Sequence, residues 1–194
     1  MMLGLKLPTD PRWVNIVEKN IDDILTDHAF CEQKAASTAI SLIVSFPEYT
    51  ELVQEMVALA KEEISHFKLV HDKIIARGNV LGRDRKDEYV IQLLKFFPKG
   101  GSRTNQLVHR LLYAALIEAR SCERFRLLSI ELQDKELSTF YHNLMVSEAN
   151  HYTLFLKLAR TYGNREEVDK KWDGLLDYEA DIMKDLSQKE SIHG

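Results

Sequence analysis

From Glu48 to Gly78 the chain reads EYTELVQEMVALAKEEISHFKLVHDKIIARG, and the spacing of its apolar residues decides the fold. Leu52, Met56, Leu59, Val70 and Ile74 recur at helical intervals, so they line one face of a long α-helix that begins near Glu48 and stops at the glycine. Two polar residues share that stripe, Glu63 and His66. Positions i and i+3 are neighbours on a helix, so both side chains are directed at the core. The arrangement recurs once, as Glu148-Ala149-Asn150-His151, in line with Leu137, Tyr141, Leu144, Phe155 and Leu158.

Each Glu-x-x-His element has a further glutamate upstream, on the preceding long helix. Glu32 lies 15 residues before Pro47 and Glu63 lies 16 after it. At about 1.5 Å of rise per residue, the two carboxylates stand at nearly one level of an antiparallel hairpin. Around the Asp134-Lys135 turn, Glu118 is 16 residues back and Glu148 is 14 forward. Glu123 competes with Glu118 but is only 11 residues from Asp134. Leu111, Ala115, Cys122 and Phe125 share the face of Glu118, whereas Leu112, Ala119 and Leu127 give Glu123 a usable stripe, so the third-helix donor is Glu118 with Glu123 as the alternative.

Four carboxylates inside a helical bundle are costly unless positive charge compensates them. Two divalent metal ions supply that charge, and one Glu plus one Glu-x-x-His from each of two hairpins is the donor set of carboxylate-bridged di-metal bundles. Hard carboxylate oxygens with two imidazoles favour iron or manganese over the thiolate-rich sites of structural zinc, and iron is expected because reduced di-iron sites activate oxygen. Glu63 and Glu148 are placed to bridge the ions, with Glu32 and Glu118 terminal. For a single Glu-x-x-His, surface glutamates and satisfied core histidines are the better account; two level-matched copies argue against it. His28, one turn before Glu32, is either a partner of that carboxylate or a structural histidine. Ala35, Ala36 and Ala39 leave room for a small molecule or permit close helix packing, and Tyr141 is a redox relay or a core tyrosine.

The rest of the chain fits one domain, 1–194, with its bundle core at about 21–162. With 194 residues, 45% hydrophobic and 29% charged, it can bury one core, and its 4 prolines and 8 glycines are few enough to favour long helices. Expected elements are a short helix after Thr9-Asp10-Pro11, long helices at about 21–46, 48–78, 104–133 and 135–162, a shorter one at 87–97, and a last one at 165–186 packed on the bundle. The glycine-rich segment Pro98 to Arg103 should be the most flexible loop, Thr104 should cap the third long helix, and 187–194 should fray. The fold class is therefore all-α, a four-helix bundle of two antiparallel hairpins joined by a long crossover at 78–103. No strand-like alternation, secretion signal or long apolar run is present, so a cytoplasmic protein is expected. Cys31 and Cys122 lack C-x-x-C spacing and read as core filler. The net charge of −4 does not mark a nucleic-acid binder, yet 89–117 contain no acidic residue while holding Lys95, Lys99, Arg103 and Arg110.

The segments flanking these positions are Cys31-Glu32-Gln33-Lys34-Ala35-Ala36, Glu63-Ile64-Ser65-His66-Phe67, Phe97-Pro98-Lys99-Gly100-Gly101-Ser102-Arg103, Glu118-Ala119-Arg120-Ser121-Cys122-Glu123-Arg124-Phe125 and Glu148-Ala149-Asn150-His151-Tyr152. They resemble the tRNA 2-methylthio-N6-isopentenyladenosine hydroxylase family (MiaE type), a ferritin-like di-iron group, over nearly the whole chain. The resemblance implies a ferritin-like bundle, two iron ions held by Glu32, Glu63, His66, Glu118, Glu148 and His151, and O2-dependent hydroxylation of the isopentenyl group on the modified adenosine next to the anticodon. It also implies tRNA contacts at Lys95, Lys99 and Arg103. An external electron donor of the reductase or ferredoxin type is needed, because no Gly-x-Gly-x-x-Gly motif is present. The competing readings are a ferritin- or rubrerythrin-like protein that oxidises or stores iron, and a non-enzymatic helical scaffold; a monomer and a dimer both remain open.

Overall fold

The computed structural model describes residues 2–186 and Ile192. The described residues form helices and no strand: α1 (Trp13–Lys19), α2 (Ile21–Ser45), α3 (Thr50–Ala76), α4 (Glu88–Leu93), α5 (Arg103–Glu131), α6 (Lys135–Tyr162) and α7 (Arg165–Leu186). Short 3-10 turns cover Met2–Gly4 and Leu94–Phe96. Two tight hairpins dominate, α2 against α3 and α5 against α6. The stripes on α3 (Leu52, Met56, Leu59, Val70 and Ile74) and on α6 (Leu137, Tyr141, Leu144, Phe155 and Leu158) are buried throughout, whereas Leu127 on α5 is half-buried. Burying one such aliphatic or aromatic side chain contributes roughly 1.5–3 kcal/mol, which is why tertiary packing sets where these helices lie.

The helix ends differ from the sequence expectation where turns and caps compete for residues. Helix α3 starts at Thr50, not Glu48, because Pro47 and Glu48 form the centre of a turn closed by Tyr49 N–H donating to Phe46 O at 3.3 Å. Its end is a Schellman motif: Asn79 N–H reaches Ile74 O at 3.1 Å, Gly78 N–H reaches Ile75 O at 2.9 Å, and Gly78 has φ +80°. Ser102, rather than Thr104, caps α5. Its backbone is extended after the two left-handed residues Gly100 and Gly101, and its Oγ accepts from Asn105 N–H at 3.1 Å. Asp134 caps α6 through Glu136 N–H and Leu137 N–H, so α5 ends at Glu131, two residues short of Gln133. Helix α1 opens at Trp13, beyond a turn in which Asp10 Oδ1 accepts from Arg12 N–H at 2.9 Å. The expected frayed end at 187–194 lies outside the described residues, apart from Ile192.

Two compact units emerge among the described residues, 2–18 with 87–186, and 19–86 with Ile192. The smaller is the α2–α3 hairpin and its trailing segment. The larger holds α1, α4, α5, α6 and α7, and α5 buries Leu107, Leu111, Leu112, Leu116 and Leu128 among its own residues. Within it α7 buries Val168, Trp172, Leu175, Leu176, Ile182 and Met183, and α4 packs on α7 through Tyr178, whose hydroxyl donates to Gln92 O at 3.3 Å.

Candidate metal centre

In the smaller unit, the hairpin brings Glu32 of α2 level with Glu63 and His66 of α3. One donor atom from each lies within 4.8 Å of the others. His66 Nδ1 is 3.4 Å from Glu63 Oε2 and 3.7 Å from Glu32 Oε2, so this ring nitrogen is the one turned to the carboxylates. Burial disfavours the charged imidazole here, but hydrogen bonding and charge from Glu32 and Glu63 outweigh it and hold His66 at about 10. The other oxygen of Glu32 is engaged separately, with His28 Nε2 2.6 Å from Oε1.

The larger unit repeats the plan. Glu118 of α5 meets Glu148 and His151 of α6, again with one donor atom each within 4.8 Å. His151 Nδ1 faces Glu148 Oε2 at 3.9 Å. Glu123, the competing glutamate, is committed elsewhere: its carboxylate accepts from Thr9 N–H at 3.0 Å, Thr9 Oγ1 at 2.6 Å and Arg120 Nη1 at 3.0 Å. Cys122 Sγ donates to Met145 O at 3.2 Å, and burial, then the charges of Glu148 and Glu123, push its thiol up to about 12. It is inert core, as its spacing suggests.

None of the six donors exposes more than 6% of its surface. Each half presents two carboxylates and one imidazole Nδ1 at close quarters in a buried setting, a donor set suited to a divalent ion that prefers oxygen and nitrogen ligands. These buried groups can hold metal.

Residues 2–194 match the sequence profile described as "tRNA-(MS[2]IO[6]A)-hydroxylase (MiaE)". The chain belongs to this MiaE family. It is 35% identical over 189 residues to the tRNA 2-(methylsulfanyl)-N(6)-isopentenyladenosine(37) hydroxylase of Pseudomonas putida, covering 97% of this chain and 91% of that one. A hydroxylase of the same name from Salmonella typhimurium is 29% identical over 231 positions, covering 92% and 83%. Among solved structures, a Synechococcus protein described as having aldehyde deformylating oxygenase activity superposes with a TM-score of 0.89 at 31% identity, covering 98% of this chain and 96% of that one. The fold of this MiaE-family chain is accordingly the all-α, ferritin-like helix bundle.

Sequence reasoning missed a buried ionic cluster in the larger unit. Arg120, fully buried on α5, donates to Glu179 of α7 at 2.6 Å, to Glu123 at 3.0 Å and to Leu7 O at 3.0 Å. Tyr89 of α4 donates its hydroxyl to Glu179 at 3.2 Å. The Arg124 guanidinium lies 4.5 Å over the Trp13 ring, and burial, then Arg120, bring it down to about 10, still charged at neutral pH. Burial raises Glu179 more than Arg120 lowers it. One signal was present: Glu179 sits on the α7 stripe among Leu175, Leu176 and Ile182.

Lys95, Lys99 and Arg103 are all exposed, on the Leu94–Phe96 turn, the glycine-rich loop and the first position of α5. Upstream of them, Arg77 pairs with Asp22 at 2.7 Å and Arg85 with Asp23 at 2.8 Å. Asp84, a sequence neighbour of those arginines, instead holds Lys34 at 2.7 Å.

Proposed function

We propose that this chain is a tRNA-modifying monooxygenase that hydroxylates the isopentenyl group of 2-methylthio-N6-isopentenyladenosine beside the anticodon, using two iron ions and O2. The observation that carries the reading is the pair of buried Glu/Glu-x-x-His triads in a chain of this family. On this reading Glu32, Glu63 and His66 of one hairpin and Glu118, Glu148 and His151 of the other would hold the iron, the four carboxylates supplying negative charge and oxygen donors and the two imidazoles nitrogen donors. When bound and reduced, the iron pair supplies the chemistry that places one atom of O2 in a C–H bond and releases the other as water, consuming two electrons and two protons.

The protein's own contribution is to bind, orient and exclude water. Burial of all six donors keeps solvent from the reacting centre. Electrons come from a separate cytoplasmic donor, since the chain has no dinucleotide-binding motif. The tRNA contact is assigned to the segment around Lys95, Lys99 and Arg103. Helix α5 has no acidic residue in its first turn and places Arg103 at its positive end, an unfavourable arrangement for the free helix that a phosphate relieves. A modified base next to the anticodon reaches a buried centre by being splayed from its stack. The test is nucleoside analysis of tRNA from cells lacking this protein. The hydroxylated nucleoside should vanish and the unhydroxylated one accumulate; its persistence, with no second enzyme making it, removes the assignment.

A further inference from the structure

The two oxygens of Glu32 face different partners. Oε2 is turned toward His66 Nδ1 at 3.7 Å, within the donor triad, while Oε1 lies 2.6 Å from Nε2 of His28, one helical turn earlier on α2. A carboxylate ligating a metal is ionised and has only acceptor sites, so with metal bound the partner at Oε1 has to be the N–H of His28 Nε2. His28 is fully buried and Glu32 nearly so, which makes this a strong contact with no water to replace it. The larger unit has no such residue in the matching place, where Ala114 stands one turn before Glu118.

We propose that His28 is a positioning residue that keeps Glu32 a one-oxygen ligand: it retains Oε1 and leaves Oε2 alone for the metal. The inference rests on the metal-centre reading above. Its consequence is that the two metal positions differ. A carboxylate held by one oxygen takes one coordination position where a freed carboxylate takes two, so the metal beside Glu32 keeps a position open to a small ligand. Partners that orient metal-binding residues typically change affinity by about 10- to 100-fold when removed.

The test is Co(II) titration of the metal-free protein, read by visible absorption and by equilibrium dialysis, for the wild type, His28→Met and His28→Gln. Methionine fills a similar volume without a donor, and the glutamine amide nitrogen reaches about as far as Nε2. Wild type should bind two Co(II) per chain. If it binds none, the metal-centre reading itself fails; two in wild type with altered variants concerns His28 alone. His28→Met should weaken one of the two binding steps about 10- to 100-fold, with weaker absorption from that ion as its coordination number rises. His28→Gln should restore both to within a few-fold, a rescue that simple core repacking does not give. If His28→Met binds both ions with unchanged affinity and spectrum, the proposal is overturned. Should His28→Met not fold, nitrogen NMR of wild type decides. With two zinc ions bound, His28 Nε2 must still carry its proton while His66 and His151 shift as ligands; a His28 that loses that proton to metal overturns the proposal equally.

Discussion

Glu148 is buried beside His151 on α6, where burying a carboxylate is costly unless positive charge compensates it. Replacing it with methionine should stabilise the metal-free protein by about 1–3 kcal/mol in urea unfolding, while the bound metal falls from two ions to at most one per chain. Two ions still bound by the variant would remove Glu148 from the proposed metal ligands. The proton on His66 gives a second test. Its folded value of about 10 lies above 6.5, so its contribution to metal-free stability is complete below about pH 6.5 and lost as pH rises through about 10. A metal on Nδ1 must displace that proton. Calorimetry at pH 8 in two buffers of different ionisation enthalpy should show close to one proton released from this half, and affinity should rise about tenfold per pH unit between roughly 7 and 9. Affinity independent of pH would place the metal elsewhere. The burial of Glu32, Glu63, His66, Glu118, Glu148 and His151, and their grouping within each hairpin, were legible in the sequence because two helical periods and two turns fix their level. The choice between Glu118 and Glu123 was not, because it depends on Thr9, 114 residues from Glu123, occupying the second carboxylate.

Among the elements, α7 is joined to α5 by charge as well as by apolar packing. Arg120→Met leaves Glu179 buried without its strongest partner and should cost about 3–5 kcal/mol in urea unfolding, whereas the double variant with Glu179→Met should recover most of that. A single-variant cost below about 1 kcal/mol would mean that the apolar stripe alone seats the helix. The stripes themselves were readable from period alone, and every long helix was found. The ends were displaced by two residues where local chemistry decides. Pro47 and Glu48 are taken by a turn, and Ser102 captures Asn105 N–H before Thr104 can act as a cap. Arg120 and Arg124 were not legible as buried residues, since a charged side chain on a long helix is ordinarily read as its solvated face.

For the whole molecule, a net charge of −4 argues against general affinity for nucleic acid, so binding must depend on a local basic surface. Lys99→Glu with Arg103→Glu should weaken tRNA binding and lower the slope of log affinity against log salt by about 0.7–0.9 for each phosphate that the loop no longer neutralises, with metal content unchanged. An unchanged slope would remove this loop from the interface. The fold class and the buried Glu/His groups that can hold metal followed from spacing, whereas the substrate followed only from likeness to a family, because a di-metal bundle by itself fits many oxidations. The most direct measurement is a single turnover of the iron-loaded, chemically reduced protein with tRNA carrying 2-methylthio-N6-isopentenyladenosine under 18O2. The account predicts one labelled oxygen in the prenyl side chain of that nucleoside, and none with Glu63→Ala or Glu148→Ala. An unlabelled hydroxyl, or hydroxylation undiminished in those variants, would contradict it.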